Sequence, residues 1–303
     1  MHHKIVKILN QLNTVLLGKE KQTKLALVCL LADGHLLIED LPGMGKTTLA
    51  GALATTLGLD YQRVQFTSDM LPADILGVSI FDQALQQFTF HQGPVFTQVL
   101  LADEINRASP KTQSALLEAM EERKISIDKN TYSLGQPFFV IATQNPQDQA
   151  GTFALPESQL DRFMMRIELG FPSKTAELSM LKEQSVDKKL FSIVDAHQLN
   201  EIQAAVKKVQ ANDTLLHYLI NLIDESRYGT EYPNPLSPRC SKALLNAAKA
   251  MAFIEQRDYV VPEDVQAVFA AVTDHRLNGV NGVKHGRQAL SKTLLNNVDP
   301  MQS

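Results

Sequence analysis

The chain has 303 residues, of which 44% are hydrophobic and 20% are charged, close to the average for globular proteins. This composition excludes a wholly disordered or collagen-like chain, and two cysteines are too few for a disulfide scaffold. The net charge of −4 disfavours a nucleic-acid-binding protein with a broad basic face. No apolar run approaches the ~20 residues of a membrane span, and the amino terminus lacks a signal-peptide pattern. We therefore expect a soluble cytoplasmic protein without stable membrane insertion.

Helices and strands are predicted to alternate in the first half of the chain. Helical spacing covers Lys4–Leu16 and Glu20–Ala32. The apolar run Leu36–Glu39 then leads through a turn-rich loop into a helical pattern at Thr47–Leu57. Further apolar runs that predict strands are Tyr61–Phe66, Gln98–Asp103, Phe138–Thr143 and Phe163–Leu169. Because uninterrupted runs suit strands covered on both faces, they predict a parallel sheet flanked by helices.

Beyond Pro172 the sequence predicts helices only. Helical spacing recurs at Ser173–Gln184, Ala196–Gln210, Asp213–Ser226, Arg239–Gln256 and Pro262–Leu277. Prolines at 172 and between 233 and 238 mark turns in this region. We therefore predict two domains, an α/β domain over residues 1–190 and an all-helical domain over residues 191–303.

The loop after the first predicted strand carries the most specific chemical pattern. Its sequence, D-L-P-G-M-G-K-T, follows a strand and precedes a helix, as a phosphate loop does. Gly43 and Gly45 allow the backbone N–H groups to approach phosphate oxygens, and the helix dipole favours the same anion. Lys46 would contact the β- and γ-phosphates, and the Thr47 hydroxyl would bind Mg²⁺. The predicted ATP-binding residues are Gly43, Met44, Gly45, Lys46, Thr47 and Thr48.

The phosphate loop departs from its usual pattern at one position, because Asp40 replaces the first glycine. Aspartate adopts positive φ less freely than glycine, so we expect an ordinary turn at the loop entry. The alternative interpretation is a glycine-rich strand-to-helix turn with no ligand. The surrounding strand and helix favour nucleotide binding.

Two adjacent acids end the predicted strand Gln98–Asp103. Alternation along a strand points Asp103 and Glu104 in different directions. We assign Asp103 to Mg²⁺, directly or through a water, and Glu104 to activation of the attacking water. The alternative is that the acids only cap a helix near Asn106. Asn145, after the next strand, is predicted to hold the attacking water in line, with a simple Asn-Pro turn as the alternative.

These motifs together resemble the AAA+ ATPases and, within them, the MoxR family. Three stretches carry the resemblance, at Glu39–Thr48, Leu101–Arg123 and Ala142–Phe163. The combination of D-E-I-N-R-A with L-P-E-x-Q-L-D-R-F is specific to that family. The resemblance implies an α/β P-loop NTPase (AAA+) core with a parallel sheet, followed by a C-terminal all-helical lid domain.

The resemblance also implies roles for two arginines and two insertions. Arg162 matches the arginine finger, which would act on ATP bound to the neighbouring subunit, and a guanidinium of this kind stabilises transition-state charge. Arg239 matches sensor 2 and would touch the γ-phosphate from the lid. Ordinary surface arginines are the alternative for both. A helix-2 insert is expected at about 67–96 and a hairpin before sensor 1 at about 125–134, either as client-contacting elements or as surface hairpins.

The function implied by the resemblance is ATP-driven remodelling by a ring. We expect a hexamer that binds ATP and Mg²⁺ between subunits and matures, assembles or inserts metal into a client protein, with a von Willebrand factor A domain protein as a further partner. The alternative is a nucleotide-switched regulatory module with little turnover, which Glu104 and Arg162 argue against. Nucleic-acid remodelling is disfavoured by the charge and by the lack of a basic motif.

Overall fold

The computed structural model describes residues 1–84, 86–128, 130–146, 151–182, 189–278 and 289–300. The helices in these ranges are α1 (His2–Val15), α2 (Glu20–Leu31), α3 (Lys46–Thr56), α4 (Pro72–Leu76), α5 (Pro110–Glu122), α6 (Glu157–Leu160), α7 (Lys174–Lys182), α8 (Ala196–Lys207), α9 (Asp213–Tyr228), α10 (Pro238–Ile254), α11 (Pro262–Leu277) and α12 (Leu290–Asn297). The strands are β1 (Leu36–Glu39), β2 (Tyr61–Gln65), β3 (Gly77–Asp82), β4 (Gln87–Gln92), β5 (Val99–Asp103), β6 (Lys124–Ile127), β7 (Asn130–Ser133), β8 (Phe139–Gln144) and β9 (Met165–Ile167).

A five-stranded parallel sheet organises the α/β part of the chain. Its strand order is β2-β5-β8-β1-β9, and every neighbouring pair is parallel. Glu39 at the end of β1 lies beside Gln144 at the end of β8, and Ala102 near the end of β5 lies beside Ala142. The carboxyl ends of the three central strands therefore meet at one edge, where open α/β sheets bind their ligands. The predicted fold class, with helices following the sheet, is confirmed.

Both faces of the central strands are buried. In β1, Leu36 and Ile38 join a core formed with α1, α2, α3 and the helices of the C-terminal part. Leu37, between them, joins the opposite core with Leu116, Leu117 and other residues. Successive strand residues point to opposite faces, so a near-continuous apolar run is needed to fill both layers.

Strand β2 departs from the prediction that all strands are covered on both faces. It lies at the edge of the sheet, and Gln62, Arg63 and Gln65 are exposed. This prediction is wrong because the segment is only partly apolar, and an edge strand needs no second covering layer. The charged side chain of Arg63 also discourages β2 from pairing with a strand of another molecule.

Two antiparallel hairpins project from the α/β part. β3 pairs with β4, and β6 pairs with β7. The hairpins contact each other, since Phe90 stacks on Tyr132 with ring centroids 4.3 Å apart and the Ser79 hydroxyl donates to Asp128 Oδ2 at 2.8 Å. They occupy the segments assigned to the helix-2 insert and the pre-sensor-1 hairpin, and their identity as those elements stays a prediction.

In the described residues of the C-terminal part, the regular elements are the helices α7–α12, and an isolated bridge joins Gln210 to Tyr259. The prediction missed α12, which packs against α11 and α9. The domain boundary at residue 190 stays a prediction, because helices on both sides of it share one continuous core and residues 183–188 lie outside the described ranges. Residues 279–288 and 301–303 of the predicted lid, and 147–150 of the third motif, also lie outside. None of the described helices is long and apolar enough to cross a membrane.

Candidate active site

The loop after β1 has the backbone geometry of an anion-binding site. Gly43 and Gly45 have φ values of 81° and 92°, which glycine adopts without strain. A Cβ at Gly43 would meet nothing within 4 Å, so the backbone angle rather than space favours glycine there. Gly45 is the N-cap of α3, and no side chain of the described residues caps this helix. Its first N–H groups are therefore available for phosphate oxygens.

Lys46 is the first residue of α3, and its side chain bends back over the loop. Its Nζ donates a hydrogen bond to the backbone carbonyl of Asp40 at 2.6 Å. Burial lowers the pKa of Lys46 below its usual value, while the carboxylates of Asp103, Asp40 and Glu104 act in the opposite direction. The charges of these three acids therefore favour the protonated form of the Lys46 ammonium group.

Asp40 has a structural task that explains its presence at the loop entry. It has no positive φ, so the entry uses an ordinary backbone conformation, as expected. Asp40 Oδ1 accepts a hydrogen bond from Leu41 N at 2.8 Å, and Oδ2 accepts one from Gly170 N at 2.6 Å. Lys19 Nζ binds the carbonyl of Gly170 at 2.7 Å. The phosphate loop is thus tied to the segment that leads towards the helical part.

Asp103 is the last residue of β5, and each oxygen of its carboxylate accepts a hydrogen bond. Its Oδ1 accepts a hydrogen bond from the Thr143 hydroxyl at 2.6 Å, and its Oδ2 accepts from Arg63 Nη2 at 2.7 Å. Thr143 lies on the adjacent strand β8 and is fully buried. Both contacts fix the orientation of the carboxylate at the end of the strand.

Glu104 leaves the strand through a turn. Its φ is 56°, a left-handed value that is uncommon for a residue with a side chain and that clusters at functional sites. The Glu104 N–H donates to the Thr143 hydroxyl at 2.9 Å, which holds this conformation. Its side chain makes no capping bond to the short helix at Ile105–Arg107 and instead accepts from Arg107 at 3.1 Å. Because Glu104 follows the end of β5 in a left-handed conformation, strand alternation does not apply to it.

Asn145 lies directly after β8, at the edge of the sheet that carries the acids. It is 7% exposed. Since β8 lies between β5 and β1, this position is flanked by the ends of the strand that precedes the acids and the strand that precedes the phosphate loop.

Arg162 and Arg239 share one carboxylate. Arg162 follows the short helix α6, and its Nε lies 3.1 Å from Glu121 Oε2. Arg239 is the second residue of α10, and its Nη2 binds the other oxygen, Glu121 Oε1. Within the described residues, the ion pairs of both arginines are with this carboxylate and not with Asp103 or Glu104. The structure therefore groups the two arginines together.

Comparison with known proteins identifies the family. The chain matches the ATPase family associated with various cellular activities (AAA) over residues 35–165 and the AAA lid domain over residues 234–292. It is 42% identical to the uncharacterized protein YeaC of Bacillus subtilis over 91% of this chain and 88% of that one. It is 37% identical to Chaperone MoxR1 of Mycobacterium tuberculosis, over 91% and 76% of the two chains. The chain belongs to the MoxR family of AAA ATPases. A putative ATPase from Cytophaga hutchinsonii superposes on this MoxR-family chain with a TM-score of 0.88 and 36% identity, over 98% and 95% of the chains.

Membership of the MoxR family makes this chain an ATPase, and the predicted site residues fall into two groups. The first group lies at the carboxyl edge of the sheet and consists of Gly43, Met44, Gly45, Lys46, Thr47, Thr48, Asp103, Glu104 and Asn145. The second group is the pair Arg162 and Arg239 on Glu121.

Three residues that contact the predicted site residues of this MoxR-family chain were not themselves predicted. Thr143 was recognised only as the end of a strand, although a hydroxyl closing an apolar run is a usable signal. Arg63 is a lone cation in an edge strand, and its link to Asp103 comes from the pairing of β2 with β5. No local sequence pattern indicates a role for Glu121, because its partners Arg162 and Arg239 come from distant segments.

Proposed function

We propose that the chain is the ATP-hydrolysing subunit of a ring, a hexamer, in which each ATP lies between neighbouring subunits. The observation that carries this proposal is the uncapped start of α3 beside Asp103 and Glu104. This arrangement offers an anion site and acidic groups side by side, as nucleotide hydrolysis requires. Lys46 exchanges its contact with Asp40 for the β- and γ-phosphates of bound ATP.

The residues present fit a magnesium ion. Thr47 is exposed at the start of α3, and its hydroxyl together with the Asp103 carboxylate supplies the hard oxygen ligands that Mg²⁺ prefers. Because both Asp103 oxygens already accept hydrogen bonds, we propose that Asp103 acts through a water of the ion. Held by Thr47 and Asp103, Mg²⁺ would supply positive charge beside the phosphate oxygens.

In this proposal two side chains contact the attacking water. Glu104 accepts the proton of the water, and Asn145 holds the water in line with the γ-phosphate. Glu104 is paired with Arg107 in the structure. This exposed pair contributes little, so the carboxylate can turn towards the water without a large penalty.

Arg162 acts on the ATP of the neighbouring subunit in this proposal, as the resemblance implies. For Arg239, which the resemblance places at a γ-phosphate as a lid residue, we propose the same ATP, because it shares Glu121 with Arg162. Their shared contact is Glu121, and their side chains are 29% and 45% exposed. They are thus accessible to an adjoining molecule. A guanidinium supplied in trans accelerates phosphoryl transfer by about 10³–10⁵ in GTPases.

Client remodelling is the work that we assign to the ring, by analogy with the relative that is named a chaperone. The tip of the β3–β4 hairpin offers a surface for a client, because Phe81 and Phe88 are 45% and 70% exposed and pack edge to face at 5.3 Å. Exposed aromatic residues are typical of protein-binding surfaces. We place this activity in the cytoplasm, with a von Willebrand factor A domain protein as a client-delivering partner.

Mixing two inactive variants tests the shared site. Arg162→Ala subunits keep an intact Glu104, and Glu104→Gln subunits keep an intact Arg162. Mixed rings therefore contain interfaces with both groups intact, and ATPase activity is expected to rise several-fold above that of either variant alone. No rise despite verified co-assembly would refute hydrolysis in trans. Negligible turnover by the parental protein would instead favour a nucleotide-switched regulatory module.

A further inference from the structure

Glu121 divides its carboxylate between two arginines from distant parts of the chain. Its Oε2 lies 3.1 Å from Arg162 Nε, and its Oε1 binds Arg239 Nη2. The three side chains come from the end of α5, the segment after α6 and the start of α10. The Glu121 side chain is 36% exposed, so the cluster lies at the surface rather than in the core.

The position of Glu121 is unfavourable for α5 itself. Glu121 lies in the last turn of the helix, which contains no basic residue. A carboxylate there faces the negative end of the helix dipole, and Glu122 follows it directly. The ion pairs of Glu121 with the two arginines are favourable, whereas its position in α5 is not. The negative charge of Glu121 therefore stabilises the contact with the arginines and not the helix.

Glu121 forms an ion pair with Arg162 Nε but no hydrogen bond to it. In the described part of the chain, the buried Nε of Arg162 has no hydrogen-bond acceptor in line, although Glu121 Oε2 lies within ion-pair distance. A contact of this kind holds the guanidinium nearby by charge, without a directed hydrogen bond through Nε. The same carboxylate also screens the repulsion between the two cations, which would otherwise separate them.

We propose that Glu121 is the positioning residue of the arginine pair, holding Arg162 and Arg239 side by side so that both reach one triphosphate of the neighbouring subunit. This inference rests on the proposed function, in which these arginines act in trans. Glu121 itself touches neither ATP nor the reacting atoms. A purely structural contact between α5 and α10 would predict a loss of stability without a specific effect on the neighbour's ATP.

Steady-state kinetics provide the first test. Glu121→Gln keeps the size of the side chain and removes its charge. We expect kcat to fall about ten- to a hundredfold, as misplacement of a catalytic group by about 1 Å does, while KM for ATP changes less than about twofold because the phosphate loop is intact. Glu118→Gln is the matched control, since Glu118 is an exposed carboxylate on the same helix, and its kcat should stay parental. Equal kcat for both variants would overturn the proposal.

Subunit mixing provides the decisive test. If Glu121 acts through the arginines, Glu121→Gln subunits have a defective donor side and an intact acceptor side. They should regain activity several-fold when mixed with Glu104→Gln and regain none when mixed with Arg162→Ala. Recovery with Arg162→Ala would overturn the proposal. The mixture of Arg162→Ala with Glu104→Gln is the control, because its failure would count against hydrolysis in trans and not against Glu121 alone.

A second variant at this position keeps the proposal testable if Glu121→Gln does not fold. Glu121→Asp keeps the charge but shortens the side chain by one methylene group. It should show the same mixing pattern with a smaller fall in kcat. Thermal unfolding of each variant accompanies the assays, and a large fall in Tm with parental kcat would assign Glu121 a structural role only.

Discussion

Asp161 and Arg276 join the loop of the candidate arginine finger to the helical lid. Arg276 lies on α11, and its Nε donates to Asp161 Oδ1 at 2.6 Å. Its Nη2 also donates to the carbonyl of Phe163 at 2.8 Å, so Arg162 lies between two residues that the same guanidinium holds. The hydroxyl of Ser237, the N-cap of α10, donates to Asp161 Oδ2 at 3.1 Å. The segment that carries Arg162 is therefore anchored to both α10 and α11.

Replacement of Arg276 by lysine should weaken both stability and hydrolysis. Arg276 is 8% exposed, and lysine keeps its charge but cannot reproduce the planar set of donors. Loss of hydrogen bonds to charged groups should lower the free energy of unfolding by about 2–3 kcal/mol. Because the loop around Arg162 loosens, kcat should fall about tenfold. Chemical denaturation and steady-state ATPase assays measure the two effects.

Arg257→Lys is the matched control for this prediction. Arg257 binds Asp264 at the start of α11 through two bonds of 2.6 and 2.5 Å, without contact to the Asp161 loop in the described contacts. Its replacement should lower stability and leave kcat parental. A parental kcat for Arg276→Lys would contradict a role of Arg276 in placing the finger.

Removal of the Thr143 hydroxyl should disturb both acids. Thr143→Val leaves the Glu104 N–H without its acceptor and Asp103 Oδ1 without its donor. A buried unsatisfied group costs about 1–3 kcal/mol, so the free energy of unfolding should fall by that amount. Misplacement of Glu104 should lower kcat about ten- to a hundredfold. Thr143→Ser retains the hydroxyl and should recover most of the kcat, and a Thr143→Ser variant as slow as Thr143→Val would argue against this explanation.

Lys46 and Glu104 should separate ATP binding from hydrolysis. Lys46→Ala removes the cation that meets the phosphates and should weaken ATP binding about 100-fold, as loss of a charge-paired contact does. Glu104→Gln keeps the phosphate loop intact, so the Kd for ATP should stay within about threefold while kcat falls about 10²–10⁴-fold. Isothermal titration and phosphate-release assays measure the two quantities. A parental kcat for Glu104→Gln would remove Glu104 from the water-activating role.

The parts of the structure that follow from local patterns were predictable. Apolar runs predicted the buried strands β1, β5 and β8 because both faces of each strand require apolar side chains. The turn between β1 and α3 was predictable because its glycines and lysine are adjacent in sequence. β2 was misjudged, since the pattern of a short run does not reveal whether its strand lies at the edge of a sheet.

The partners of the acids and arginines were not predictable from local patterns. Thr143 and Arg63 reach Asp103 only through the order of the strands, and Glu121 meets Arg239 across 118 positions of sequence. Such contacts depend on tertiary packing, which no short window of sequence contains. The left-handed backbone at Glu104 is likewise held by Thr143 from another strand, whereas strand alternation was the local explanation for the divergence of the acids.

A buried histidine should make stability depend on pH. His35 precedes β1, its Nδ1 accepts a hydrogen bond from Val140 N at 3.0 Å, and its Nε2 contacts the carbonyl of Met120 at 3.2 Å. This pattern requires the neutral ring. Burial lowers the pKa of His35 from 6.5 to about 4, with a further contribution from Arg123. His275 is also buried, and its pKa is lowered in the same direction.

Whether stability rises or falls with pH depends on whether the folded or the unfolded chain binds the proton more readily. Above pH 6.5, the value for the unfolded chain, His35 is neutral in both states and its contribution is complete. Between pH 6.5 and about 4 only the unfolded state gains a proton, so the free energy of unfolding should fall by about 1.4 kcal/mol per pH unit, or about 3 kcal/mol in total. His35→Gln should remove this part of the slope in urea titrations from pH 8 to pH 4. His217→Gln, which replaces an exposed histidine, is the matched control. Identical slopes for the parental protein and His35→Gln would show that His35 is not the group responsible.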